Sequence, residues 1–140
     1  MNEKISIFTD GASRGNPGES ASGFAVYLPG RDVPEIHTHY NGRATNNYAE
    51  YMAIILSLEW CLRNVAEPKS VDIYIHSDSK VAINQINGTY KVRSENLIPL
   101  GRRVKALVGN FHKVSFSNLP REDRGIALVD RALNKMLDRM

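Results

Sequence analysis

Two apolar segments of this chain, KISIFTD (4–10) and VDIYIHSD (71–78), each run into an aspartate. Both are rich in the β-branched and aromatic residues of strands. Asp10 and Asp78 thus stand at carboxyl ends of strands, where ligands of open α/β sheets collect. Side by side, two carboxylates repel and need a proton or a cation to coexist. Taken singly, each equally caps the turn or helix that follows, Asp78 before Ser79 especially. Glu50 is harder to explain locally. It stands one turn into NNYAEYMAIILSLEWCLRN (46–64), a stretch apolar on nearly every side, with Asn46 and Ile54 as helical neighbours. A carboxylate on a buried face is costly unless paired or metal-bound, and nearness to a helix N-terminus returns at most about 1 kcal/mol. Asp130, in ALVDRALNKML, lies beside the apolar stripe Val129, Leu133, Met136 and Met140, with Asn134 one turn on. Its spacing fits a surface position equally well. Hard oxygen donors from two strands and two helices suit Mg²⁺ or Mn²⁺. Two such ions, roughly 3.5–4 Å apart, can activate a water and stabilise the leaving oxygen in phosphodiester hydrolysis. The four histidines and Cys61 have no zinc-site spacing.

The elements that must position these acids follow from period and punctuation. KISIFTD predicts a first strand that ends at Asp10 in the glycine-rich turn GASRGNPG. ASGFAVYL (21–28) is a second strand and EIHTHYNG (35–42) a half-exposed third, alternating Ile36, Thr38 and Tyr40 with His37 and His39. Short connections make these three an antiparallel meander. Apolar residues at 49, 52, 53, 56 and 60 then change the period to that of a helix, capped by Asn46 or Asn47. A strand over 71–78, a short helix over 79–88, a helix over 96–111, a strand over 113–119 and a helix from about 122 to 139 complete the order β-β-β-α-β-α-α-β-α. Strands separated by helices usually run parallel, so the fold class is α/β with a mixed sheet.

The chain of 140 residues, 42% hydrophobic and 24% charged, predicts one domain over 1–140 with a substantial core. No stretch approaches the roughly 20 apolar residues of a membrane helix, and MNEKISIF has no apolar signal core, so a cytoplasmic location is expected. Cys61, the sole cysteine, lies in an apolar run and reads as a buried thiol. Net charge is +3, but between residues 91 and 124 eight Lys or Arg face three acids, a balance that leans toward a polyanion partner.

The segments TDGASRGNPG (9–18), TNNYAEYMAI (45–54), SDSK (77–80) and the tail LPRED…VDRALN occur in the order and spacing of a known family. The chain resembles the type 1 ribonuclease H family over essentially its whole length. The resemblance implies a five-stranded mixed sheet, three antiparallel strands then two parallel ones, flanked by helices. It implies endonucleolytic cleavage of the RNA strand of RNA/DNA hybrids, leaving 5′-phosphate and 3′-hydroxyl ends. The family's acids map onto Asp10, Glu50, Asp78 and Asp130, which would hold two Mg²⁺, with Mn²⁺ as a substitute. Substrate would be met by Gly11, Arg14, Asn16, Thr45, Asn46, Lys80, Tyr90, Lys91 and Arg121. Of these, Asn16 would read the 2′-hydroxyls that distinguish RNA from DNA, and Thr45 with Asn46 would grip a DNA phosphate at a helix N-terminus. Double-stranded RNA is a further candidate substrate, and a monomer is expected.

Three departures from the family stand out. The family register for the last acid falls on Leu128, and Asp130 takes that place only with two residues inserted after Arg124. Arg124 replaces the asparagine of the family's Pro-Arg-Glu motif, and the loop LPREDRG lacks the histidine many members carry there; His112 lies too far upstream to map onto it. Finally, INGTYKVRSENLIPL (86–100) leaves no room for the basic helical protrusion some members use as a hybrid handle. Tyr90, Lys91 and Arg93 stand nearest to it as a substitute, ahead of the basic residues at 102–105.

Overall fold

The computed structural model describes residues 2–140. Strands β1 (Glu3–Gly15), β2 (Gly18–Tyr27) and β3 (Glu35–Ala44) form an antiparallel meander; β4 (Val71–Ser77) and β5 (Lys113–Asn118) add in parallel on the other side of β1. The sheet order is β3-β2-β1-β4-β5. Helices α1 (Asn46–Asn64), α2 (Lys80–Ile86) and α3 (Ile98–Val108) share one apolar core with the sheet, and α4 (Arg124–Asp138) packs on the opposite face.

Alternation along β1 divides its side chains between these layers. Ile5 and Ile7 enter the core under α1, whereas Phe8 and Ala12 pack toward α4. Asp10 has the parity of Phe8 and Ala12, and Gly11 that of the isoleucines. Helix α1 is buried nearly all round, from Ala49 through Leu58 to Cys61, as its run of apolar residues requires. Burial pushes the Cys61 thiol up to about 12, leaving it an inert packing group.

The glycine-rich run differs from the sequence expectation. The first strand does not end at Asp10: residues 11–15 pair with Gly18–Ser22 of β2, and only Asn16 and Pro17 form the turn. Small residues there sustain a close hairpin, and Gly15 takes the positive φ of +98° at its corner. Helix α1 is capped by Thr45, whose side chain accepts from the Tyr48 N–H. The expected caps, Asn46 and Asn47, lie inside the helix. On edge strand β3 it is His37 that packs inward, stacked on Phe24 and against Trp60, while Ile36 is exposed. The helix expected over 96–111 is shorter because it starts at Ile98, just before Pro99. The last helix starts at Arg124 because Asp123 caps it, accepting from the N–H groups of Gly125 and Ile126.

Candidate active site

Strands β1 and β4 are parallel and share a last rung at Thr9 and Ser77. Asp10 within β1 and Asp78 just past β4 therefore follow that rung at the same level. Beyond that rung β1 runs on past the end of β4, and the first turns of α1 pack over it at Gly11. A Cβ on Gly11 would lie 2.4 Å from the carbonyl carbon of Ala49 and 2.5 Å from the Glu50 nitrogen. Only glycine permits that approach, and the approach carries Glu50 up to the aspartates. One carboxylate oxygen from each of Asp10, Glu50 and Asp78 lies within 4.8 Å of the others. Gly23, opposite Asp10 on β2, does the same for α4: a Cβ there would meet Leu133 Cδ2 at 2.9 Å and Val129 Cγ1 at 3.2 Å. Helix α4 thereby brings the half-buried Asp130 near enough for its charge to act on Asp10.

This convergence is electrostatically costly in the protein alone. The Asp10 carboxyl is pushed up to about 8, first by burial and then by Asp78 and Asp130; the Gly11 N–H, 2.9 Å from its Oδ1, opposes the rise. Glu50 is held well above the ordinary carboxylate range, first by burial and then by Asp10 and Asp78. Its Oε1 is buried without a hydrogen-bond partner. A buried carboxylate oxygen with no donor, in a residue that converges on two other carboxylates, is suited to a hard divalent cation. The donor set fits Mg²⁺ or Mn²⁺.

The hairpin tip is tied to the start of α1 by a reciprocal pair of amides. Asn16 Oδ1 accepts from the Asn46 N–H at 3.0 Å, and Asn46 Oδ1 accepts from the Ser13 N–H at 3.1 Å. Backbone N–H groups need an acceptor, so both side-chain NH₂ groups are left as donors. Beside them lies a depression of about 540 Å³ lined by Arg43, Thr45, Tyr48 and Asn96, among others. Arg43, Tyr48 and Asn96 were not singled out from sequence. Arg43 stands near the end of β3, two residues before the α1 cap Thr45, a signal that could have been read; Asn96 is brought in only by the fold. Another hollow, about 300 Å³ between α1, α2 and α3, is lined by Tyr51, Gln85 and Arg102 among others and contains no carboxylate.

The remaining expected residues divide. Arg121 approaches the acids, its Nε 3.7 Å from Asp78 Oδ2, with its side chain otherwise exposed. Lys80 opens α2 at the surface, and Tyr90 and Lys91 lie exposed in the segment between α2 and α3. Arg14 donates to Asp138 Oδ1 at 2.8 Å and to Asn134, holding it against α4. His112 pairs with Asp72 near the start of β4, at the end opposite Asp78.

A family model described as RNase H matches residues 2–116, ending before α4. The bifunctional protein Rv2228c of Mycobacterium tuberculosis is 32% identical over 136 residues, 96% of this chain but 36% of that protein. This chain therefore spans about a third of the length of that relative. Its N-terminal RNase H domain, solved as a fusion with maltose-binding protein, superposes with a TM-score of 0.86 at 30% identity, covering 98% of this chain and 95% of that one. RNase H1 of the archaeon Halobacterium salinarum superposes at 0.84 with 31% identity, covering 98% and 99%. LC11-RNase H1, solved in complex with an RNA/DNA hybrid, superposes at 0.82 with 29% identity, covering 95% and 99%.

Proposed function

We propose that this chain, which belongs to the ribonuclease H family, is an endonuclease that hydrolyses the RNA strand of RNA/DNA hybrids within one catalytic domain. The observation that carries this reading is the convergence of Asp10, Glu50 and Asp78 at the end of the β1–β4 seam, with one Glu50 oxygen left unpartnered and Asp130 acting on Asp10 from α4. These four would hold two Mg²⁺ ions, or Mn²⁺ in their place, whose chemistry is to activate water and neutralise charge on the phosphate. The products would be 5′-phosphate and 3′-hydroxyl ends.

The chain's own groups would select and seat the hybrid. The Asn16 and Asn46 NH₂ groups, fixed as donors by their backbone bonds, would meet acceptor oxygens of the two strands, Asn16 the 2′-hydroxyls of the RNA. Arg43, Thr45 and Asn96 would take a phosphate of the DNA strand at the α1 N-terminus, where backbone dipoles favour an anion. Arg121 and Lys80 would contact RNA-strand phosphates near the acids. Tyr90 and Lys91 would extend contact along the duplex in the absence of a helical protrusion. Gly11 contributes by letting α1 close on β1, which sets where Glu50 stands.

The test compares wild type, Asp130→Asn and the double variant Asp130→Asn/Leu128→Asp on a labelled RNA/DNA hybrid with and without Mg²⁺. Mg²⁺-dependent cleavage by wild type only is expected. Full activity in Asp130→Asn, or rescue by the aspartate at 128, overturns the assignment of the fourth acid. No cleavage by wild type overturns the activity.

A further inference from the structure

Arg14 and the C-terminal half of α4 form a network that the proposed chemistry does not itself require. Asn134 Nδ2 donates to Asp130 Oδ2 at 3.3 Å. Arg14 Nη2 lies 3.2 Å from Asn134 Oδ1 and 3.4 Å from the Asn134 carbonyl oxygen, and it donates to Asp138 Oδ1 at 2.8 Å. A guanidinium has no acceptor, so it must meet the oxygen end of the Asn134 amide. The NH₂ end is then turned toward Asp130, and the amide has no second orientation that keeps both bonds.

The network follows from matched lengths. Asp10, Ala12 and Arg14 share one face of β1, and Asp130, Asn134 and Asp138 share one face of α4. Four residues of strand span roughly 13 Å, and eight residues of helix roughly 12 Å. The strand and the helix therefore meet at both ends: Asp10 with Asp130, and Arg14 with Asp138. Asn134 falls between, opposite the small Ala12. At the first end two acids repel; at the second an ion pair attracts; Asn134 links the two.

We propose that Asn134, oriented by Arg14, is a positioning residue that holds the Asp130 carboxylate toward Asp10 and so sets the affinity of the cation site on that side. The inference rests on the reading of Asp130 as a metal ligand. Without the Asn134 donor, Asp130 is free to turn from Asp10 toward solvent, and a cation must reorganise it on binding. Arg14 acts one step further out, through the amide.

The experiment measures Mn²⁺ binding to hybrid-free protein from the free-ion electron paramagnetic resonance signal, with unfolding midpoints in EDTA for every variant. Asn134→Leu, a good helix former without the donor, is expected to weaken binding about tenfold, the scale of one lost hydrogen bond to a charged group. Arg14→Met is expected to weaken it about threefold. Asp138→Asn keeps an acceptor for Arg14 and is expected to leave affinity within about twofold. In cleavage assays, the half-saturating Mg²⁺ concentration of Asn134→Leu should rise while kcat at saturating Mg²⁺ stays near the wild-type value. If Asp130→Asn weakens Mn²⁺ binding but Asn134→Leu and Arg14→Met do not, the positioning role is overturned and the ligand assignment stands. If Asp130→Asn itself leaves binding unchanged, both fall. Loss of stability in Asn134→Leu with unchanged affinity marks a merely structural residue and also overturns the proposal.

Discussion

Replacing Asp10 by asparagine should make the metal-free protein more stable while removing its activity. The carboxyl, ordinarily ionised above about 3.8, is pushed up to about 8 in the fold. Between those two values the unfolded chain carries the ionised form while the folded chain keeps the proton. The folded state thus binds more protons, and stability falls as pH rises through that window. Below about pH 4 both states are protonated and the penalty is absent; above about pH 8 it is complete. At pH 7, a little over three pH units above 3.8 at about 1.4 kcal/mol each, the ceiling is about 4 kcal/mol. Asparagine carries no charge, and its Oδ1 can still accept the Gly11 N–H, so a gain of about 2–4 kcal/mol is expected at pH 7 in EDTA. Urea unfolding followed by circular dichroism at pH 4.5, 6, 7 and 8 reads it directly. The difference between variant and parent should shrink toward pH 4.5. Saturating Mg²⁺ should stabilise the parent and not the variant. A variant less stable than the parent at pH 7, or a difference that ignores pH, would refute the reasoning.

Gly11→Ala places a methyl into the Ala49 and Glu50 backbone; it should cost about 2–4 kcal/mol of stability and lower kcat by displacing Glu50, both read from the purified variant. Arg43→Ala should raise KM for hybrid about 5- to 20-fold with little change in kcat, and should reduce the salt dependence of binding by about one counterion. Leu58→Ala, in the fully buried stripe of α1, should cost about 2–5 kcal/mol and leave the half-saturating Mg²⁺ concentration unchanged, as thermal unfolding and metal titration of the same sample will report.

The acids of the two strands and of α1 were legible because each broke a local rule. Asp10 and Asp78 ended apolar runs, and Glu50 put a charge on a face that every neighbour marked as core. The parallel strands then needed no further information to bring the aspartates level. Asp130 broke no local rule, since its approach depends on Gly23 and on helix packing more than 100 residues away in sequence. The partners of Arg14 were hidden for the same reason. In a glycine-rich run it reads as a residue meant for substrate, but its partners Asn134 and Asp138 lie 120 and 124 residues further on. The run GASRG was read as a turn because small residues favour turns, whereas here they permit a tight hairpin and a close helix. Composition alone does not separate those two uses.

The shared rung at Thr9 and Ser77 also bears on how the protein matures. Side chains alternate along a strand, so a slip of β1 by one residue would send Asp10 to the face where α1 leaves no room for a Cβ, and would turn Gly11 toward α4. No partly slipped sheet can assemble the acids. Cleavage should therefore emerge in refolding only with the final register, lagging behind collapse around Trp60, so that turnover is an all-or-none report of correct strand alignment.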